Sequence, residues 1–191
     1  MLTAQLAAEY PDLDIKKILD WELSLYDTQA PGFVGLNNDF IASARLDNLL
    51  SCFGGLQAII KSANSGEWNL FVANDHEEVG SASAVGAQGP MLNDVLQAIA
   101  QDPVDDRALR QASWLLSVDN AHAIHPNYPT KHDELHAPLL GSGPVIKINR
   151  NQRYATSGEG AARVRLMAER AGVSVQSFVV RADMSCGSTI G

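Results

Sequence analysis

Two adjacent carboxylates with a histidine before them, in Asp75-His76-Glu77-Glu78-Val79-Gly80-Ser81, are the residues of this chain best placed to do chemistry. They follow Trp68-Asn69-Leu70-Phe71-Val72-Ala73, an apolar run that reads as a buried strand. The ends of strands are where open α/β sheets place their ligands. On extended backbone, neighbouring side chains point to opposite sides. One carboxylate is then free to hold a cation while the other serves as a base. Asp119 follows a second apolar run, Leu115-Leu116-Ser117-Val118, and Asp47 precedes a helical stripe. If the strands are parallel, their C-terminal ends share an edge and these acids converge. Several carboxylates in one cleft repel unless a cation is present. The pattern therefore predicts a metal site.

Each candidate has a plainer reading beside this one. Asp47 at a helix start is also a natural cap. Glu77 and Glu78 suit a solvated loop, and Asp119-Asn120 suits a turn. His122 and His125 lie in a row of small residues that would set them on different sides. A lone histidine is more often a scaffold group than a ligand. His132 and His136 have a spacing that binds metal on a helix, but prolines flank them and a solvated loop is the expectation. Lys147 sits inside an apolar strand. It is either an edge residue reaching solvent or a buried cation for an anionic substrate group, and pattern alone does not choose. Nothing resembles a phosphate loop, and no serine has an evident histidine partner.

The elements that must position these residues are legible from periodicity. Helical spacing is expected over 12–19, from 47 to about 61, over 91–100, 105–112 and 160–171. Strands are expected at 21–26, 40–44, 68–73, 115–118, 144–149 and 173–180. Residues 28–38 and 126–138 read as loops, and 81–89 as either a loop or the glycine-tolerant start of a helix. The stripe Leu49, Leu50, Phe53, Leu56, Ile59 and Ile60 should face a core. Strands alternating with helices predict an α/β fold: a three-layer α/β/α sandwich around a mostly parallel mixed sheet.

Bulk composition narrows the function. With 46% apolar and 19% charged residues, the 191-residue chain should be globular rather than disordered. A net charge of −8 argues against a nucleic-acid surface, which needs clustered Lys and Arg. No segment approaches a membrane span, and no signal peptide is visible. Two cysteines, Cys52 and Cys186, make no disulfide framework, so a reducing, cytoplasmic setting is expected. Cys52 reads as a small core residue.

Five stretches together carry a resemblance. They are Ser43-Ala44-Arg45-Leu46-Asp47-Asn48-Leu49, the Asp75 to Ser81 motif, the stretch from Val118 to Tyr128, Gly143 to Asn149 with Gln152-Arg153-Tyr154-Ala155, and Cys186 to Gly191. In order and spacing they resemble the aspartyl aminopeptidase family, zinc-dependent exopeptidases that remove acidic residues from peptide N-termini. The match runs from about Trp21 to Gly191. The resemblance implies that Asp47 bridges two zinc ions, with manganese or cobalt as substitutes. Glu78 would bind one ion and Asp119 the other. Glu77 would be the general base. Lys147 would pair with the acidic side chain of the substrate's first residue, His122 would stabilise the oxyanion or contact substrate, and Tyr154 would position substrate. Residues 1–30 would be the tail of an inserted dimerisation domain and 31–191 a partial zinc-exopeptidase-like catalytic domain, incomplete at both ends. A homo-oligomer is implied for the full-length protein.

Family sites use two histidine ligands, one from a Gly-Ser-His-Thr-Asp type motif and one from a Met-His-Ser type motif. Neither motif occurs here, so the chain resembles the middle of such an enzyme. Carboxylates alone should bind zinc weakly, because imidazole supplies much of the preference. The expectation is an active full-length relative and an inactive isolated chain. Two other readings compete: a non-catalytic piece that works by association, and another co-catalytic zinc hydrolase such as a deacylase.

Overall fold

The computed structural model describes residues 1–181, 183 and 184. The Cys186 to Gly191 stretch of the resemblance lies outside the described residues. The chain divides into two units, Met1–Ala44 and Arg45–Gly191.

In the first unit, helix α1 spans Leu2–Glu9. Strands β1 (Gly32–Val34) and β2 (Phe40–Ala42) form an antiparallel pair with Phe33 opposite Ile41. Between them Gly35 has φ +100°, and a Cβ there would lie 2.5 Å from the Asp39 carboxylate. Glycine is the residue that accepts both conditions. This unit departs from the sequence expectation at three places. Residues 12–19 and 21–26 take no regular structure, and the loop expected over 28–38 contains β1. Trp21, Leu23 and Leu25 are exposed, so nothing buries the alternating face that a strand would need.

The second unit carries the candidate site. Helices α2 (Leu46–Ser62), α3 (Met91–Ala100), α4 (Pro103–Ala112) and α5 (Gly158–Ala171) match the expected helical stretches closely. Their ends obey local chemistry. Asp102 caps α4 by accepting from the Val104 N–H at 2.7 Å, with Pro103 at the first position. Ser157 caps α5 by accepting from the Gly160 N–H at 3.0 Å, and Gly172 ends it at φ +67°. Strands β3 (Val145–Ile148) and β4 (Gln176–Val179) pair in parallel, with Lys147 opposite Phe178. With α5 between them they form one βαβ unit, the building block of an α/β fold.

Residues 68–73 and 115–118 are not strands here. A strand exists only as part of a ladder, and neither segment finds a pairing neighbour among the described residues. The stripe on α2 is likewise uncovered: Leu49, Leu50, Phe53 and Ile60 are all more than half exposed. Burial concentrates instead around β3, β4 and α5, at Ile146, Tyr154, Ala168 and Phe178. No helix among the described residues is long and apolar enough to cross a membrane.

Candidate active site

The N-terminal turn of α2 is irregular, and that irregularity aims Asp47. Arg45 takes the cap position at φ 61° without a side-chain cap bond, and Asp47 has non-helical angles of φ −86° and ψ 107°. The Asp47–Asn48 peptide is cis. Asp47 is therefore no helix cap. Its carboxyl group lies instead near that of Asp119, close enough for the two charges to repel.

The segment after residue 118 is laced to this turn. Asn48 Nδ2 donates to the Val118 carbonyl and to Asp119 Oδ1, each at 3.2 Å. Asn120 Nδ2 donates to the Leu46 carbonyl at 2.9 Å, and Ser51 Oγ donates to Asn120 Oδ1 at 3.2 Å. Lys147 reaches in from β3. Its ammonium donates to Asp119 Oδ2 at 2.7 Å and to the Asn120 carbonyl at 3.0 Å, and it stands 5.7 Å from the Tyr154 ring centre. The lysine side chain is only 18% exposed. That removes the reading in which it simply snorkels to solvent.

Glu77 and Glu78 are not on extended backbone, contrary to the sequence expectation. They open a 3₁₀ turn, Glu77–Val79, bracketed by His76 at φ 58° and Gly80 at φ 98°. The turn is closed by the Gly80 and Ser81 N–H groups donating to the carbonyls of Glu77 and His76, each at 2.9 Å. It still separates the two carboxylates: Glu77 is half-buried and Glu78 exposed. The loop behind it is tight. Ser81 is 3% exposed, and a Cβ on Gly86 would come within 2.2 Å of the Ser81 carbonyl oxygen. His76 Nδ1 lies 2.7 Å from Ser83 Oγ, a further tie across the same loop. Gly86→Ala must therefore displace the turn that presents both glutamates. The expected result is a loss of cation affinity of about 10- to 100-fold, read by isothermal titration. Unchanged affinity would show that the loop does not set the glutamate geometry.

The acids repel as the sequence predicts. Partial burial, then the charges of Asp119 and Glu78, push the Asp47 carboxyl above its usual range, against the pull of Lys147. Burial, then Asp119, Glu78 and Asp47, raise Glu77 in the same way. Such a cluster holds protons that a bound cation would expel. Cation titrations at pH near 5.5 should release more protons per ion than titrations at pH 8, measured by calorimetry in buffers of different ionisation enthalpy. Equal release at both pH values would contradict the raised carboxyl groups.

Among the described residues, however, no three of His, Cys, Asp and Glu are arranged to hold one ion. Asp47, Glu78 and Asp119 are the right donors for a divalent cation, but they form a partial set. Asp119 is shared with Lys147 and Asn48, and no imidazole joins the acids.

His122 is exposed, yet one side of its ring packs on His132 at 5.0 Å between centroids and on Phe178 at 5.7 Å. Desolvation first, then His132 and Lys147, lower its pKa and favour the neutral ring. His132 is 7% exposed. The solvated loop expected around it is thus corrected at this residue, whereas His136 hydrogen-bonds Asp133 at 2.6 Å as a loop histidine does. No periodicity marks His132, because a turn at Pro129–Lys131 rather than a helix or strand carries it inward. Cys52 is a free, half-buried thiol.

A βαβ unit whose lysine-bearing strand is ion-paired to Asp119 is the frame of an α/β domain. The whole chain, residues 1–191, matches the family model described as aminopeptidase I zinc metalloprotease (M18), and the chain belongs to that family. It is 57% identical to a probable M18 family aminopeptidase 2 of Pseudomonas entomophila, over all of this chain and 44% of that protein. It therefore spans less than half the length of such relatives. Among solved structures, Ape4 in its complex with Nbr1 is similar at TM-score 0.86 and 40% identity, over 100% of this chain and 39% of that one. The mApe1 dodecamer of S. cerevisiae is similar at TM-score 0.80 and 29% identity, over 93% and 43% respectively.

Proposed function

We propose that these 191 residues are the part of an M18 aminopeptidase that supplies the general base, three acidic metal ligands and the pocket for the substrate's first side chain. The substrates are peptides that begin with Asp or Glu. The observation that carries this reading is the junction at the start of α2, where Asp119 bonds both Asn48 and the half-buried Lys147 and Asn120 bonds the Leu46 carbonyl, next to Asp47 in the chain. Asp47 would bridge two zinc ions, with Glu78 and Asp119 each completing one side and further ligands coming from outside the 191 residues. Manganese or cobalt would fit the same oxygen donors. When bound, the metal pair supplies Lewis-acid polarisation and a more acidic water.

The chain's own residues do the rest. Glu77, raised by its neighbours, takes the water proton at its carboxylate and passes it to the departing amine. Neutral His122 donates a hydrogen bond to the developing oxyanion. Lys147 offers its ammonium to the substrate's side-chain carboxylate, and Tyr154 borders it. In this reading residues 1–30 are the tail of an inserted dimerisation domain, 31–191 a partial catalytic domain, and the full-length protein a cytoplasmic homo-oligomer.

The isolated chain is expected to be inactive. The test compares hydrolysis of an N-terminal Asp peptide by this chain and by a full-length version carrying it, each with added zinc. Full activity in the chain alone would overturn the partial-site reading, and no activity in the full-length version would overturn the assignment. A second reading, a piece that works by association, is favoured by one observation. Leu49, Leu50, Phe53 and Ile60 leave an apolar face of α2 exposed, as a surface for a partner would be. Two metals bound per chain would count against that second reading.

A further inference from the structure

His132 is buried, yet neither ring nitrogen has a hydrogen-bond partner among the described residues. Its surroundings explain the burial but not the choice of residue. The His132 ring lies 5.0 Å from that of His122, tilted by 56°, and meets Phe178 edge-on at 6.0 Å. Phe178 meets His122 edge-on as well, at 5.7 Å. Three rings thus form one cluster in which two are buried and the third, His122, faces solvent. A neutral histidine without a hydrogen-bond partner is expensive to bury. Here it has been set under the one histidine to which a substrate role falls.

The backbone holds it there from two directions. The turn before it is closed by the Lys131 N–H on the Tyr128 carbonyl at 3.1 Å and the His132 N–H on the Pro129 carbonyl at 3.2 Å. Arg181, just past β4, donates to the Thr130 carbonyl in the same turn. Phe178 is the β4 partner of Lys147 in the ladder. The cluster is therefore built on the same strand pair that presents the lysine.

We propose that His132 is a positioning residue for His122: with Phe178 it forms the floor that fixes the His122 imidazole toward the substrate. The inference rests on the substrate role given to His122 above. His132 acts through the contact of its ring with those of His122 and Phe178. Around the pair, the charged group that faces His122 besides His132 is Lys147.

The test is a double-mutant cycle in a full-length version of the enzyme, with zinc content checked for every variant. His132→Ala should lower kcat on an N-terminal Asp peptide by about 10-fold, the scale of a misplaced catalytic contact. His132→Phe keeps the ring and should recover most of that loss, whereas His132→Gln should not. In a His122→Ala background, His132→Ala should cost nothing further in kcat, because the residue acts through His122. A merely structural role would instead lower the melting temperature and leave kcat per folded site intact. Additive losses in the cycle, or rescue by Gln but not Phe, would overturn the inference alone. Normal kcat in His122→Ala would overturn the role of His122 itself, and this inference with it. Should His132→Ala fail to fold, the Phe and Gln variants still decide.

Discussion

Glu77→Gln in a full-length version of the enzyme is expected to reduce kcat on N-terminal Asp peptides by about 10³-fold, within the range for removal of a general base. The substitution is nearly isosteric and keeps the 3₁₀ turn, whose closing bonds are all main chain. Glu78, Asp47 and Asp119 are untouched, so zinc content should stay normal. The combination of lost turnover and retained metal identifies a base. Lost metal would move Glu77 into the ligand set, and normal turnover would remove it from the mechanism. The two glutamates should thus separate cleanly: Glu78→Gln is expected to weaken metal binding first, and turnover as a consequence.

Lys147→Met should have the next largest effect, and its signature is selectivity. The lysine is mostly buried and paired to Asp119 at 2.7 Å. Truncating one partner of such a pair costs about 2–5 kcal/mol, or about 30- to 5,000-fold. If Lys147 reads the substrate's acidic side chain, kcat/KM should fall by that factor for peptides beginning with Asp. Peptides beginning with Ala should lose far less. Equal losses on both would mean that the lysine serves only to hold Asp119. Measuring the two substrates side by side separates the roles without a structure of the variant.

Much of the site was legible in the sequence because its residue types announce their chemistry. Asp47, Glu77, Asp119 and Lys147 were each picked out by an ionisable side chain in an apolar or strand-end context, and the structure brings them together. The helices were legible for the same local reason. Asp102, Ser157 and Gly172 are end signals that act within four residues. The strands were not, because pairing is a long-range property. Residues 68–73 and 115–118 have strand composition but no ladder, whereas 145–148 and 176–179 have each other. Asp47 looked like a helix cap, and only the irregular turn shows that its carboxyl points to Asp119. His132 was misread because burial of a loop residue depends on what the turn packs against, and Phe178 is far away in the chain.

The bonds that fasten Asp119 and Asn120 to the start of α2 join residues 69 to 74 positions apart. Helices such as α5 depend on neighbours and form early, while contacts across so long a stretch form only after the intervening chain has been ordered. The acidic cluster is therefore a late arrival in folding. During synthesis or refolding, the chain will have most of its helix before Asp47 and Asp119 are brought together. The segments that carry Asp47 and Asp119 are thus joined last.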